Sequence, residues 1–304
     1  MCWARTFFAP SAPARPVPGG SAPRPPFARR ARPQTPDGLK SKGPSSSTAG
    51  RAERSLPGAP VQKRFRVDLA RLAAYERVCG FATGAVAMPV TYPHVLAFPM
   101  TVRVMASRAF PLPVLGLVHT STEMTQRRGL PADGEYEISV CVEGLAAHRR
   151  GTEATVVTEA RLAGTLVWES RNTYLARHAT AGAPGPRDDV AERTPLPAVA
   201  EWRFAGDVGR RYGAVSRDRN PIHLYPLTAR LFGFARPIAH GMWTVARCLA
   251  ELPADGESLT VRAEFKAPVR LPGTVTYAAE GNRFELRGAM QRLHLTGEVQ
   301  PAPM

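Results

Sequence analysis

The chain has 304 residues and 44% apolar content, which is enough for two domains of ordinary size with a sizeable core. Its formal net charge of +15 would suit nucleic acid or an anionic membrane, but no apolar run reaches the roughly eighteen residues of a membrane-spanning helix. The four cysteines show no C-x-x-C spacing, and no cluster of histidines and cysteines has the spacing of metal ligands. We therefore expect a reduced, cytoplasmic protein without a membrane span or a metal site.

Residues 1–62 are predicted to form a disordered, basic tail. They contain twelve of the 30 prolines, and ten basic residues against only two acids, Asp37 and Glu53. Such a composition cannot bury enough apolar surface to fold. Because the tail lacks a pattern of interleaved aromatic residues, we do not expect it to bind nucleic acid. Six arginines and no acid among the first 36 residues are typical of an organellar transit peptide, but the prolines would break its amphipathic helix, so organellar targeting is the less favoured interpretation.

The first folded half is predicted over residues 63–179 and combines one helix with several strands. Tyr92–Ser107 is an apolar stretch of helical length, with Pro93 at its first turn and Pro99 expected to kink or restart it. From Gly134 the pattern changes to period two, and the segments EYEISVCVEGL, TEATVVTEARLAG and TLVWESRNTYLAR predict long antiparallel strands. This order indicates an α+β fold.

The second half is predicted over residues 198–304, after a Pro- and Gly-containing linker at residues 180–197. It repeats the order of the first half, with a helix at His240–Leu252 followed by strands in SLTVRAEFKAPVRLPG, TVTYAAEG and RFELRGAMQRLHLTGEVQ. The same plan therefore occurs twice, although the two halves share no visible sequence identity.

The residues most suited to chemistry lie in Tyr212–Met242, YGAVSRDRNPIHLYPLTARLFGFARPIAHGM. Within six residues this segment holds an acid, an amide and an imidazole, namely Asp218, Asn220 and His223. Pro221 prevents a regular helix and Asn-Pro is a turn signal, so a turn can bring the carboxylate and the imidazole together around one water molecule. The alternative is purely structural, with Asp218 capping a turn and His223 serving as an ordinary polar loop residue.

The order S-x-D-x-N-P-I-H, followed by G-F-x-x-P-I-A-H-G-M, resembles the signature of the MaoC-like (R)-specific enoyl-thioester hydratases, which have the hotdog fold. The resemblance implies a double hotdog, each half a long antiparallel sheet wrapped around a central helix, with one active site in the second half. It implies that Asp218 and His223 are the catalytic pair and that the backbone N–H of Gly241 stabilises the thioester oxygen. Three further residues would position these groups: Ser216, Asn220 and His240.

Two positions depart from the family pattern. Gly213 replaces the usual Ala, a small change. Arg217 replaces the usual Gly between Ser216 and Asp218. If the backbone there has a positive φ, Arg causes strain, and its charge would lower the pKa of Asp218.

The expected activity is reversible hydration of trans-2-enoyl thioesters, or dehydration of (R)-3-hydroxyacyl thioesters, on coenzyme A or an acyl carrier protein. No cofactor is expected, since the chain has no Gly-rich nucleotide motif. Arg217, Phe234 and Arg236 are the candidate substrate-binding residues, and the chain is expected to be a monomeric pseudo-dimer or a homodimer. The alternatives are a hotdog acyl thioesterase and a non-catalytic acyl-thioester binding protein in which Arg217 has spoiled the site.

Overall fold

The computed structural model describes residues 59–180, 194–252 and 258–303. Most of the predicted tail and most of the predicted linker lie outside the described residues. The helices are α1 (Leu69–Cys79), α2 (Tyr92–Met105), α3 (Val208–Ser216), α4 (Pro226–Leu231) and α5 (Gly241–Leu249). The strands are β1 (Val61–Arg66), β2 (Val118–Gln126), β3 (Glu135–His148), β4 (Gly151–Leu162), β5 (Thr165–Arg177), β6 (Ala198–Phe204), β7 (Leu259–Phe265), β8 (Gly273–Glu280), β9 (Arg283–Arg287) and β10 (Leu293–Pro301).

All ten of these strands belong to one antiparallel sheet with the order β1-β3-β4-β5-β2-β7-β10-β9-β8-β6. Read from either edge towards the middle, the connectivity is the same: β1-β3-β4-β5-β2 in the first half and β6-β8-β9-β10-β7 in the second. The two halves meet where β2 pairs with β7, with Thr122 opposite Ala263 and Met124 opposite Val261. The chain therefore forms an α+β double hotdog, as predicted.

The central helices are α2 and α5, and both are apolar on most sides because the sheet curves around them. Ten residues of α2 and seven of α5 are buried. Helix α2 runs through Pro99 without interruption, so the helix does not restart there, one of the two predicted outcomes. A proline removes one backbone hydrogen bond from a helix interior, and the burial of ten of the fourteen residues of α2 acts against that loss.

The strand predictions of the first half are confirmed by β3, β4 and β5. The last predicted segment of the second half is in fact two strands, β9 and β10, separated by a 3-10 turn at Ala289–Gln291. Strand β2 was missed because its sequence, VHTSTEMTQ, does not alternate between apolar and polar residues. Among the described helices, none has the length and apolar character needed to cross a membrane.

Candidate active site

The site begins where α3 ends and the chain reverses at Arg217. This residue adopts a left-handed conformation with φ 65°, and its N–H donates to the carbonyl of Gly213. The reversal brings the carbonyl of Asp218 against Gly213, where an added Cβ would lie 2.7 Å from that oxygen. Gly213 is therefore more than a neutral departure from the family pattern, because an Ala there would push the Asp218 backbone away. The N–H of Asp218 donates to Oγ of Ser216 at 3.1 Å.

The segment that follows is the turn expected from Asn-Pro. Asn220 donates its N–H to Oδ1 of Asp218 at 3.1 Å, while its own side-chain oxygen accepts from the N–H of Ile222 at 3.4 Å. It thereby caps a 3-10 turn at Pro221–His223. Asn220 lies at the exposed side of the turn, and its contacts are those of a residue that orients the acid rather than one that reacts.

His223 is buried and held in one tautomer. Its Nδ1 lies 2.8 Å from the carbonyl oxygen of Ile238, and because a carbonyl only accepts, Nδ1 must carry the proton. The other ring nitrogen, Nε2, therefore has a free lone pair. The N–H of Ile238 returns a bond to the carbonyl of Ile222 at 3.1 Å, so the turn and the segment leading into α5 are tied together on both sides of the imidazole.

His240 packs against both members of the predicted catalytic pair. Its ring stacks on that of His223 with centroids 3.7 Å apart. Its Nε2 donates to the backbone carbonyl of Asp218 at 3.0 Å and lies 3.8 Å from Oδ2 of the same residue. Burial lowers the pKa of His240 well below its ordinary value, so it is a neutral support that fixes where Asp218 and His223 lie.

Burial shifts the two pKa values of the predicted pair in opposite directions. It raises the pKa of Asp218, while His223 and the N–H of Asn220 act to lower it. It lowers the pKa of His223, while Asp218 acts to raise it. The net direction for Asp218 is the reverse of the one expected from Arg217. The result is a neutral imidazole beside a carboxylate that is more basic than an exposed one, which suits proton transfer near neutral pH.

Asp218, His223 and His240 each place one potential ligand atom within 4.8 Å of the others. Two imidazoles and a carboxylate are a donor set that divalent metals use. Each imidazole also donates one N–H to a backbone carbonyl, as metal-bound histidines do. The prediction that no metal takes part therefore remains to be tested.

Gly241 begins α5 and lies beside this cluster. The first N–H groups of a helix have no acceptor within the helix and present positive charge to an oxyanion. A Cβ on Gly241 would lie 2.8 Å from Cε1 of Phe265 at the end of β7. Only glycine therefore allows both the aromatic ring and a substrate to approach the start of the helix closely.

The first half reaches the same place through two residues that the sequence did not single out, the half-buried His119 and the buried Tyr174. His119 on β2 packs against Phe265 with ring centroids 4.7 Å apart and stacks on Tyr174 of β5 at 4.6 Å. Burial raises the pKa of Tyr174, and the charge of Asp218 raises it further. Tyr174 is a buried residue of β5. It lies near Asp218 because β2 pairs with β5 on one side and with β7 of the second half on the other.

The three predicted substrate-binding residues differ in their surroundings. Phe234 is half-buried, and Arg236 is exposed with Nη1 3.3 Å from the carbonyl oxygen of Pro272. Arg217 lines a cavity of about 210 Å³. The other lining residues belong to β1 and α2 and include two more cations: Val61, Gln62, Lys63, Phe65, Pro99, Met100 and Arg103.

Comparison with known proteins places this geometry in a family. The MaoC like domain model matches residues 195–296. The 3-hydroxyacyl-thioester dehydratase X of Mycobacterium tuberculosis is 37% identical over 234 residues, which cover 75% of this chain and 82% of the relative. The chain belongs to the MaoC-like dehydratase family.

Solved structures of MaoC-like dehydratases extend the likeness over both halves. A crystal structure of HtdX from Mycobacterium tuberculosis superposes with a TM-score of 0.70 at 33% identity, covering 80% of this chain and 100% of that one. A MaoC-like dehydratase from Phytophthora capsici gives a TM-score of 0.64 and covers 82% of this chain and 97% of its own, at 17% identity. The second likeness shows the fold alone. The match to the family model covers Asp218, His223 and Gly241. It begins after His119 and Tyr174, so it does not include them.

The left-handed backbone at Arg217 generates a prediction about stability. A residue with a Cβ costs about 1–2 kcal/mol in this conformation and glycine does not. Arg217→Gly is therefore expected to raise the free energy of unfolding by about 1 kcal/mol, measured by urea denaturation. Arg217→Ala is the matched control, since it removes the same charge but keeps the strain, and it should give no such gain. Equal stabilisation by both variants would assign the effect to the charge of Arg217 instead.

Two histidines of the first half, His94 and His119, generate a prediction about pH. Burial lowers the pKa of His94 to about 4 and that of His119 to about 3. Below pH ~6.5 the unfolded chain takes up protons on these residues that the folded chain does not, so stability is lost as the pH falls. His94→Gln should reduce the loss between pH 7 and pH 5 by about 2 kcal/mol, seen as a shallower fall in the urea midpoint. Parallel pH curves for the parent and the variant would contradict this.

Proposed function

We propose that the protein catalyses the reversible hydration of trans-2-enoyl thioesters, which in the other direction is the dehydration of (R)-3-hydroxyacyl thioesters. One observation carries the proposal: the carboxylate of Asp218 and the imidazole of His223 meet beside the start of α5 at Gly241. Membership of the MaoC-like dehydratase family and the name of the Mycobacterium tuberculosis relative support it.

The water molecule that reacts is held by two acceptors. Nε2 of neutral His223 accepts one of its hydrogens, and the carboxylate of Asp218 accepts the other. The water oxygen adds to C3 of the enoyl group while its proton passes to Asp218, whose raised pKa makes it an effective base. Asp218 then delivers this proton to C2, so both residues return to their starting protonation states. Dehydration follows the same steps in reverse.

Addition at C3 places negative charge on the thioester oxygen, and this charge is stabilised at the start of α5. The N–H of Gly241 donates to the developing enolate, and the helix dipole acts in the same direction. Removing one such donor from other enzymes costs about 10²–10³ in rate. The acid–base pair and the donor are adjacent because His240, which immediately precedes Gly241, bonds to the backbone of Asp218.

The first half contributes a wall of the acyl site rather than a second set of catalytic groups. His119 and Tyr174 connect β2 and β5 to Phe265 and to the surroundings of Asp218. Tyr174 remains a protonated phenol at any working pH, because burial raises its pKa. One chain thus supplies both halves of one site, and we expect a monomeric pseudo-dimer to be sufficient for activity, with the acyl group carried on coenzyme A or a carrier protein.

The catalytic pair generates the prediction that tests this function. Asp218→Asn and His223→Ala should each lower kcat for hydration of a trans-2-enoyl thioester by at least about 10²–10⁴-fold. Loss of the absorbance of the conjugated double bond measures the reaction, with substrates of short, medium and long acyl chain. Unchanged activity in the presence of a chelator would support the expectation that no metal takes part, and loss of activity would assign a metal to Asp218, His223 and His240.

Free thiol is measured in the same reactions as the control for thioester hydrolysis. Thiol release in place of loss of the double bond would move the protein to the thioesterases. A thioester that binds but undergoes neither reaction would identify a non-catalytic binding protein. Full activity in Asp218→Asn would contradict the mechanism itself.

The close approach of Phe265 to Gly241 generates a second prediction. Gly241→Ala places a Cβ within the space of the aromatic ring and displaces the start of α5, so kcat/KM should fall by roughly 10–100-fold. The same substitution in a Phe265→Leu background should cost much less, because the smaller side chain leaves room. Both pairs are compared by steady-state kinetics as a double-mutant cycle. An equal loss in both backgrounds would show that the clash is not the cause.

A further inference from the structure

A cluster of exposed apolar side chains covers the outer side of α4. Tyr225, Leu227, Leu231 and Phe232 are 52%, 71%, 78% and 41% exposed, and we call these four residues the α4 patch. Elsewhere in the described chain, large exposed apolar residues occur singly or as one adjacent pair. Single exposed apolar residues are normal on a protein surface, whereas a group of four within eight positions indicates a contact surface.

The α4 patch is directly connected to the active site. The hydroxyl of Thr228 in α4 donates to the carbonyl of Pro221 at 2.7 Å, and Pro221 begins the turn that carries His223. The N–H of Phe234 donates to the carbonyl of Ala229 at 3.0 Å, which turns the chain back towards α5. One segment therefore holds His223 on its buried side and the α4 patch on its exposed side.

The segment that carries the α4 patch is cationic. Between residues 219 and 250 the sequence contains no aspartate or glutamate. Arg219, Arg230 and Arg236 are exposed, and Arg210 lies over the ring of Tyr225 at 5.1 Å. Within the described part of the chain, none of these four arginines forms an ion pair with an acid of the protein. Their charge is therefore available to a partner.

We propose that the α4 patch docks an acidic acyl carrier protein, which presents the thioester to the site on its flexible prosthetic arm. This inference rests on the proposed hydratase function and names the carrier for it. An apolar centre with a charged rim is the usual anatomy of a protein–protein interface, and complementary charge accelerates the encounter of the partners.

Other occupants fit the α4 patch less well. A second copy bound across a two-fold axis would place the same patch, and the same arginines, opposite itself. Coenzyme A alone would pair its phosphates with the arginines but would leave the four apolar side chains exposed. An acidic protein satisfies both the cations and the apolar centre.

The test compares the same trans-2-enoyl group attached to coenzyme A and to an acyl carrier protein, with the full chain as the enzyme. Leu231→Glu and Arg230→Glu should each lower kcat/KM for the carrier-protein substrate by at least about tenfold, a loss typical of important interface residues. Both variants should stay within about twofold of the parent on the coenzyme A substrate. The matched control is Met290→Glu, at a position 98% exposed between β9 and β10, which should affect neither substrate.

The remaining outcomes overturn the docking proposal separately from the function. Equal losses on both substrates would mean that α4 serves the chemistry or the fold. Identical effects of Leu231→Glu and Met290→Glu on the carrier-protein substrate would remove the special role of the patch. A parent dimer that Leu231→Glu dissociates would assign the patch to a second copy. A parent protein that hydrates neither thioester would instead refute the proposed function.

Discussion

The antiparallel pairing of β2 with β7 is the interaction on which the rest of the structure depends. It joins two five-strand halves into one sheet. The inner edge strand of each half therefore forms its hydrogen bonds with the other half and is not left unpaired. The same pairing sets the positions of His119, near the start of β2, and Phe265, the last residue of β7. The proposed hydratase site, with its reacting groups from the second half and a wall from the first, depends on that register.

Burial sets the direction of the pKa shifts of the ionisable residues in the site. The imidazoles of His223 and His240 are neutral because burial disfavours their charged forms. The ring N–H of each donates a hydrogen bond to a backbone carbonyl. Asp218 has a raised pKa for the same reason. The Asn220 N–H and the His223 ring act in the opposite direction and retain the charge that a base needs. A few backbone hydrogen bonds therefore hold two rings and one carboxylate in a single protonation pattern.

The sequence was enough to predict the fold class and the proximity of Asp218 and His223, because these residues are close in the chain and their turn is encoded locally by Asn220 and Pro221. It was not enough to identify His119 or Tyr174, whose position depends on pairing between strands far apart in the chain. The same limit explains Gly213. Its replacement of Ala looks harmless along the chain, whereas in the fold the carbonyl of Asp218 occupies the space that a Cβ would need. Close approaches of backbone to backbone leave no local signal in a sequence.

The internal symmetry of the fold also shows how the first half differs at the position that corresponds to Gly241. The position that corresponds to the start of α5 is the start of α2, where Tyr92 stands in place of Gly241. The N–H of Tyr92 already donates to the carbonyl of Pro89 at 2.8 Å, and the next residue, Pro93, has no N–H. The ring of Tyr92 is completely buried and fills the volume next to the helix. The first two residues of α2 therefore offer no free N–H to a thioester oxygen, which agrees with our proposal that the first half contributes only a wall of the acyl site.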